Sequence, residues 1–194
     1  MENLEQQLLQ QLSSEGVDKI SQKIGVDKNT TSTVLSAAIP LLVSALANNS
    51  SKTEGAESLH KALDRDHDGS ILNNMEGFFS NPETANGAGI LKHVLGNKQT
   101  VVTESLSKGS GVKSNAIAQI LQIAAPLVLG MIGKKQKQEG LDTNNLSSFL
   151  GGQKEETKKS NPGIMGIVDG LLDQNRDGSS LDDIIGMVGK LFQK

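Results

Sequence analysis

The chain has 194 residues, a formal net charge of −3, 36% hydrophobic residues, 2% aromatic residues and no cysteine. The missing cysteines exclude disulfides, thiolate catalysis and cysteine-ligated zinc or iron–sulfur sites. Scattered basic residues, with no Tyr or Trp to stack on bases, leave no nucleic-acid footprint.

The N-terminus, Met1 to Glu5, lacks a basic segment followed by an apolar run. It predicts no signal peptide and a cytoplasmic protein. Leu4, Leu8 and Leu12 recur every four residues and predict an amphipathic opening helix ended by Gly16. A short helix over Val17–Ile24 follows, then a turn at Gly25-Val26-Asp27 leading to a helix N-cap.

Val34–Asn48 is apolar nearly all round, which predicts a buried helix. Pro40 in its middle removes one backbone hydrogen bond and presses on the carbonyl of Ser36, so a kink is expected. The segment returns as Ile120–Lys134 with Pro126 in the matching place, an offset of 86. At that offset Ser21, Gly25, Val26, Asn29, Leu35, Ala38, Pro40 and Leu41 match Ser107, Gly111, Val112, Asn115, Leu121, Ala124, Pro126 and Leu127. This predicts an internal duplication, with repeats near residues 20–49 and 106–136. The two apolar helices are expected to pack on each other about a pseudo-twofold axis, with small Ala38, Ser44, Ala124 and Gly130 permitting close approach. The apolar windows Val34–Ala47 and Ile120–Gly133 fall short of the ~20 residues a bilayer needs, so no membrane span is expected.

Between the copies lie Ala56–Leu63, an acidic loop, and Leu72, Met75, Phe78 and Phe79 on an exit helix. Asn81-Pro82 and Asn86-Gly87 mark turns, and Gly87–Gly96 is a short glycine-bounded helix. Past the second apolar helix, Asn144–Leu150 gives a turn or two of helix. Residues 153–162 carry no apolar side chain and read as a solvated linker between a duplicated domain, 1–152, and a terminal hairpin, 163–194. Ile164, Ile167, Val168, Leu171 and Leu172 form one helical stripe of that hairpin. Leu181, Ile184, Ile185, Val188, Leu191 and Phe192 form the other. No segment alternates as a strand does. The fold class is all-α: an internally duplicated helical bundle with two proline-kinked buried helices and a C-terminal EF-hand-like helix–loop–helix.

Several stretches together carry a resemblance. They are the Ala- and Leu-rich helix with its central proline, E-G-x-x-S-L-x-x-A-L-D at Glu54–Asp64, and G-x-x-I-L-x-H-V-L-G at Gly87–Gly96. The A-P-L-V-x-G helix and the closing D-G-S-x-L-D-D-I-I-G-M complete the set. The chain resembles the YidB-like family of bacterial proteins of unknown function over nearly its whole length. The resemblance implies a bacterial, soluble, helical protein and no particular activity.

The chemistry legible in the residues is a pair of acidic loops. Asp64, Asp66, Asp68, Gly69 and Ser70 stand at the spacing of positions 1, 3, 5, 6 and 7 of a calcium loop; Asp173, Asn175, Asp177, Gly178 and Ser179 repeat it 109 residues later. Calcium takes six to eight oxygens, and glycine makes the sharp turn at position 6. Position 12 should be a bidentate Glu, yet it is Met75 in one loop and Ile184 in the other. Glu76, Asp182 and Asp183 are the nearby replacements. Calcium binding of low affinity, in the 10⁻⁴–10⁻³ M class, is the expectation. The competing reading is capping: Ser179 with Asp182, or Ser180 with Asp183, resembles a capping box, and acids suit a helix N-terminus. His67 is expected to point outward, and His93 to be a packing or surface residue. No G-x-S-x-G, complete P-loop or G-x-G-x-x-G is present. The expectation is a non-enzymatic protein: either a calcium-responsive module, or a constitutive scaffold that engages a protein partner or a second copy of itself.

Overall fold

A computed structural model describes residues 3–172. Within them the chain is helical: α1 (Leu4–Ile24), α2 (Lys28–Ser50), α3 (Thr53–Asp66), α4 (Met75–Ser80), α5 (Gly87–Leu95), α6 (Gln99–Ser110), α7 (Ser114–Glu139), α8 (Thr143–Ser160) and α9 (Pro162–Leu172), joined in places by short 3-10 turns. No strand occurs among the described residues. The hairpin expected over 163–194 is described only as far as α9. Its loop and closing helix lie outside the described residues.

Helices α2 and α7 form the centre. Each packs against the other, and α1, α3 and α5 pack against both. Their middle segments are buried on all faces: Val34, Leu35, Ala38, Ile39, Ile120, Leu121, Leu127 and Val128 are 0% or 1% exposed. Burying one such side chain stabilises the fold by about 1.5–3 kcal/mol. Helix α2 runs continuously through Pro40, and α7 through Pro126.

The two turns that deliver the chain into these helices share one geometry. Gly25 (φ 75°) and Gly111 (φ 71°) are both left-handed C-caps, and their N–H groups donate to Ser21 O and Ser107 O. Ser21 Oγ donates to Val26 O at 2.6 Å, and Ser107 Oγ to Val112 O at 2.6 Å. A positive φ at these two positions is the reason both are glycine. The two starts then differ: Asp27 caps α2 by accepting from Thr30 N at 2.9 Å, whereas Lys113 at the matching place offers no side-chain cap.

Four expectations are corrected. First, the opening helix does not end at Gly16. α1 continues to Ile24 and is interrupted at Ser13, whose φ of 49° and ψ of 174° are non-helical. Gly16 is helical and buried, and a Cβ there would stand 3.3 Å from Phe79 Cζ, so its role is to admit a phenyl ring. Second, residues 153–160 are not a linker but the second half of α8. Gln153 and Thr157, one helical turn apart, are 4% and 0% exposed and bind α1 by hydrogen bonds. Apolar periodicity does not register a polar face that is buried. Third, α2 and α7 are 23 and 26 residues long because polar flanks extend the apolar windows. By length and hydropathy (1.6 and 1.8) both could cross a membrane, and 78% of each apolar window is buried inside the fold. Fourth, Gly130 does not serve the α2–α7 contact. A Cβ there would lie 2.5 Å from Ile71 Cγ2, and Ser44 Oγ reaches Met165 Sδ of α9 at 3.7 Å.

The Ser13 torsions fall in a region that only glycine adopts without strain, at a cost of about 1–3 kcal/mol for other residues. Glycine would relieve that cost but would lose more chain entropy on folding, about 0.5–1 kcal/mol. Ser13→Gly is therefore expected to stabilise the protein by about 1 kcal/mol, raising the melting temperature by about 2–4 °C. A lowered melting temperature in calorimetry would refute the strain.

Candidate functional site

The first acidic loop is built at the end of α3. Leu63, fully buried, ties the helix to the core, and the helix continues through Asp66 before His67 caps it. Asp64 and Asp66 thus sit on the last helical turn, while Asp68 follows in the turn and Ser70 opens a 3-10 turn. Gly69 is left-handed at φ 92°.

Helix α7 comes unusually close to this loop. A Cβ on Gly133 would stand 1.9 Å from the His67 carbonyl oxygen, and one on Gly69 would stand 2.7 Å from Lys134 Cβ. Glycine on both sides lets backbone meet side chain and backbone. That approach puts two neighbouring α7 side chains on the acids. Gln136 Nε2 donates to Asp64 Oδ1 at 2.6 Å, and Lys137 Nζ donates to Asp68 Oδ2 at 2.8 Å. Asp68 Oδ1 accepts from Ser70 N at 3.0 Å. The Lys137 ammonium and the Ser70 N–H hold the Asp68 carboxyl well below the usual carboxylate range.

The remaining acids are occupied as well. Asp66 Oδ2 accepts from both Arg65 Nε (2.8 Å) and Arg65 Nη2 (2.6 Å), and this pair lowers the Asp66 pKa. Asp64 Oδ2 lies 3.3 Å from His60 Nδ1, whose Nε2 is 3.1 Å from Leu141 O. Glu76 is on α4, with its carboxylate 3.5 Å from Lys19 Nζ.

The structure thus brings Asp64, Asp66, Asp68 and Ser70 to the end of α3 and the turn after it but turns their oxygens to different partners. Glu76 stands apart with Lys19. Among the described residues no group of three or more His, Cys, Asp or Glu is placed to hold a metal ion. Asp173, Asn175, Asp177, Ser179, Asp182 and Asp183 lie outside the described residues.

His67 differs from expectation. It is half-buried rather than outward, and burial lowers its pKa. It lines a cleft of about 300 Å³ with Asp66, Ser70, Thr84 and Ile90. Beside it, Asp66 is taken by Arg65, and the Ser70 N–H by Asp68. His93 is exposed.

The partners that the sequence reading missed are Gln136, Lys137 and Gly133, and Gly130 is assigned there to the α2–α7 contact instead. They lie about 70 residues from the loop, beyond any local pattern. The signal available was Gly130-x-x-Gly133, two glycines on one face near the end of an otherwise bulky helix. That spacing marks a close approach by another segment.

No curated protein and no solved structure matches the chain. The profile of a family described as bacterial protein of unknown function, DUF937, matches residues 6–135, from the first helix to the end of the apolar stretch of α7. That span takes in both glycine turns, both proline-containing helices and the first acidic loop, and on it the chain belongs to the DUF937, or YidB-like, family of bacterial proteins of unknown function.

Proposed function

We propose that the protein is a non-catalytic helical scaffold built by duplication of a turn and an apolar helix, and that its first acidic loop is a clasp between α3 and α7. The observation that carries this reading is the pairing of Asp64 and Asp68 with the consecutive α7 residues Gln136 and Lys137. Calcium needs six to eight oxygens converging on one point. Here the Lys137 ammonium already neutralises Asp68, and the Arg65 fork neutralises Asp66. An ion would have to displace both cations. The near-identical turns at Gly25 and Gly111 support the duplication. Val101, at 37%, is the one large hydrophobic side chain exposed among the described residues, so contacts with a partner through this surface would be largely polar.

A second reading keeps calcium at the loops. It is favoured by the repeated spacing and by the left-handed Gly69, the conformation that a position-6 glycine supplies. In that reading Asp64, Asp66, Asp68, Ser70 and Glu76 serve the first site; Asp173, Asn175, Asp177, Ser179, Asp182 and Asp183 serve the second.

Amide exchange with calcium at millimolar concentration separates them. The clasp predicts no calcium-dependent protection at 64–70. Protection there would overturn it, whereas protection at 173–179 alone would place a weak site in the second loop and leave the clasp standing. The clasp also has a pH signature. The Asp68 pKa is depressed in the folded state, so its stabilising contribution is present above the ordinary value of 3.8 and is lost as pH falls below it. Asp68→Asn should remove that part of the acid sensitivity, seen as a flatter melting temperature below about pH 4. An unchanged acid profile would count against the pairing.

A further inference from the structure

Glu5 is a carboxylate that the clasp does not use. It stands in the first turn of α1, just before the stretch matched by the family, and it is 5% exposed. Across from it is Thr157, 0% exposed, in the half of α8 that lies past that stretch. Thr157 Oγ1 donates to Glu5 Oε1, and Gln153, one turn earlier on α8, accepts from Leu4 N at 2.9 Å. Asn3 completes the cluster: its Oδ1 accepts from Glu5 N at 3.0 Å, while its Nδ2 is buried with no hydrogen-bond partner. These contacts bind the first turn of the chain to α8, which packs along α2 and leads into α9.

The cluster is poorly matched to an ionised carboxylate. Such a group has about four acceptor positions, and among the described residues the side-chain donor that reaches the Glu5 carboxyl is the Thr157 hydroxyl alone. Among the described residues no charged side chain of α1, α8 or any other helix contributes a charge–charge interaction to it. Of the α8 cations next to this face in sequence, Lys158 is exposed, and Lys154 is held by Asn48 (3.1 Å) and Asp169 (3.5 Å). A buried, uncompensated charge costs far more than a buried neutral carboxyl.

We propose that Glu5 is an acid-tightened latch: protonation closes the contact between the start of α1 and the second half of α8, and ionisation loosens it. Burial raises the Glu5 pKa above its ordinary 4.5, with Thr157 and Asn3 opposing. With the latched value above the released one, the latch contributes most below pH 4.5 and loses that contribution as pH rises through the raised value. The device therefore acts opposite in sign to Asp68, and the two are separable by variant.

The test compares the full chain with Glu5→Gln by amide exchange, as protection factors over residues 153–160. Glutamine keeps the shape and cannot ionise. At about pH 8 the variant should be several-fold more protected than the wild type, and at about pH 4.5 the two should agree. Carbon-detected NMR titration of the Glu5 carboxyl should give a midpoint above the ordinary glutamate value. Equal protection at the higher pH, lower protection of the variant there, or an ordinary midpoint would each overturn the latch.

Discussion

Gly133→Ala is expected to destabilise the protein by at least about 3 kcal/mol, a fall of about 6–12 °C in melting temperature. The added Cβ would fall 1.9 Å from the His67 carbonyl oxygen and 2.9 Å from its carbon, both backbone atoms. Rotamer changes cannot relieve such a contact, so the loop has to lift off α7. Lifting it separates Asp64 from Gln136 and Asp68 from Lys137, and exposes Leu63 and Leu72, which are 0% and 5% exposed in the fold. Gly130→Ala should cost less, about 1–3 kcal/mol, because its clash at 2.5 Å is with Ile71 Cγ2, the end of a side chain that can turn. Gly151→Ala supplies the control. That glycine is helical and exposed with nothing within 4 Å, so alanine should stabilise by about 0.5–1 kcal/mol. Denaturant unfolding of the three variants reads the order directly. A Gly133→Ala protein within about 1 kcal/mol of the wild type would mean that the loop does not sit against α7 as described.

The glycine series marks where sequence reading reaches and where it stops. Apolar periodicity located the buried faces: Leu4, Leu8 and Leu12 are all 1% exposed or less, as are Leu35, Leu41, Leu121 and Leu127. Those positions are legible because a helix repeats every 3.6 residues and burial of each leucine is an independent, local choice. The end of α8 was not legible because its buried positions, Gln153 and Thr157, are polar and are satisfied by residues about 150 positions away. The break in α1 was not legible either. Ser13 is an unremarkable residue in a helical segment, and nothing in its side chain calls for a positive φ.

The acidic loop was legible as a motif and not as a site. Alternate aspartates before a glycine signal an oxygen-rich turn, and Gly69 does adopt the left-handed conformation that this spacing needs. What the motif does not encode is the identity of the cation. Aspartates on the last turn of α3 oppose the helix macrodipole, and positive or donating neighbours offset that cost. Here Arg65 comes from the same turn, but Gln136 and Lys137 come from another helix. A local pattern contains the first of these and not the second.

Leu35→Ala and Leu121→Ala are each expected to cost about 2–5 kcal/mol. Both side chains are 0% exposed, on the two central helices, at matching places of the proposed repeat. Each truncation removes the transfer free energy of the side chain and leaves a cavity whose size depends on how far the neighbours can relax. Equivalent surroundings relax alike. If duplication produced the two halves and the packing has kept that relation, the two costs should agree within about 0.5 kcal/mol, close to the precision with which independent sites add. The double variant should then depart from additivity if the two cavities share neighbours across the α2–α7 contact, since coupled core sites show interaction energies of about 0.5–3 kcal/mol. Urea unfolding measures all three. A difference of several kcal/mol between the single variants would confine the likeness of the two halves to their turns, at Ser21–Val26 and Ser107–Val112.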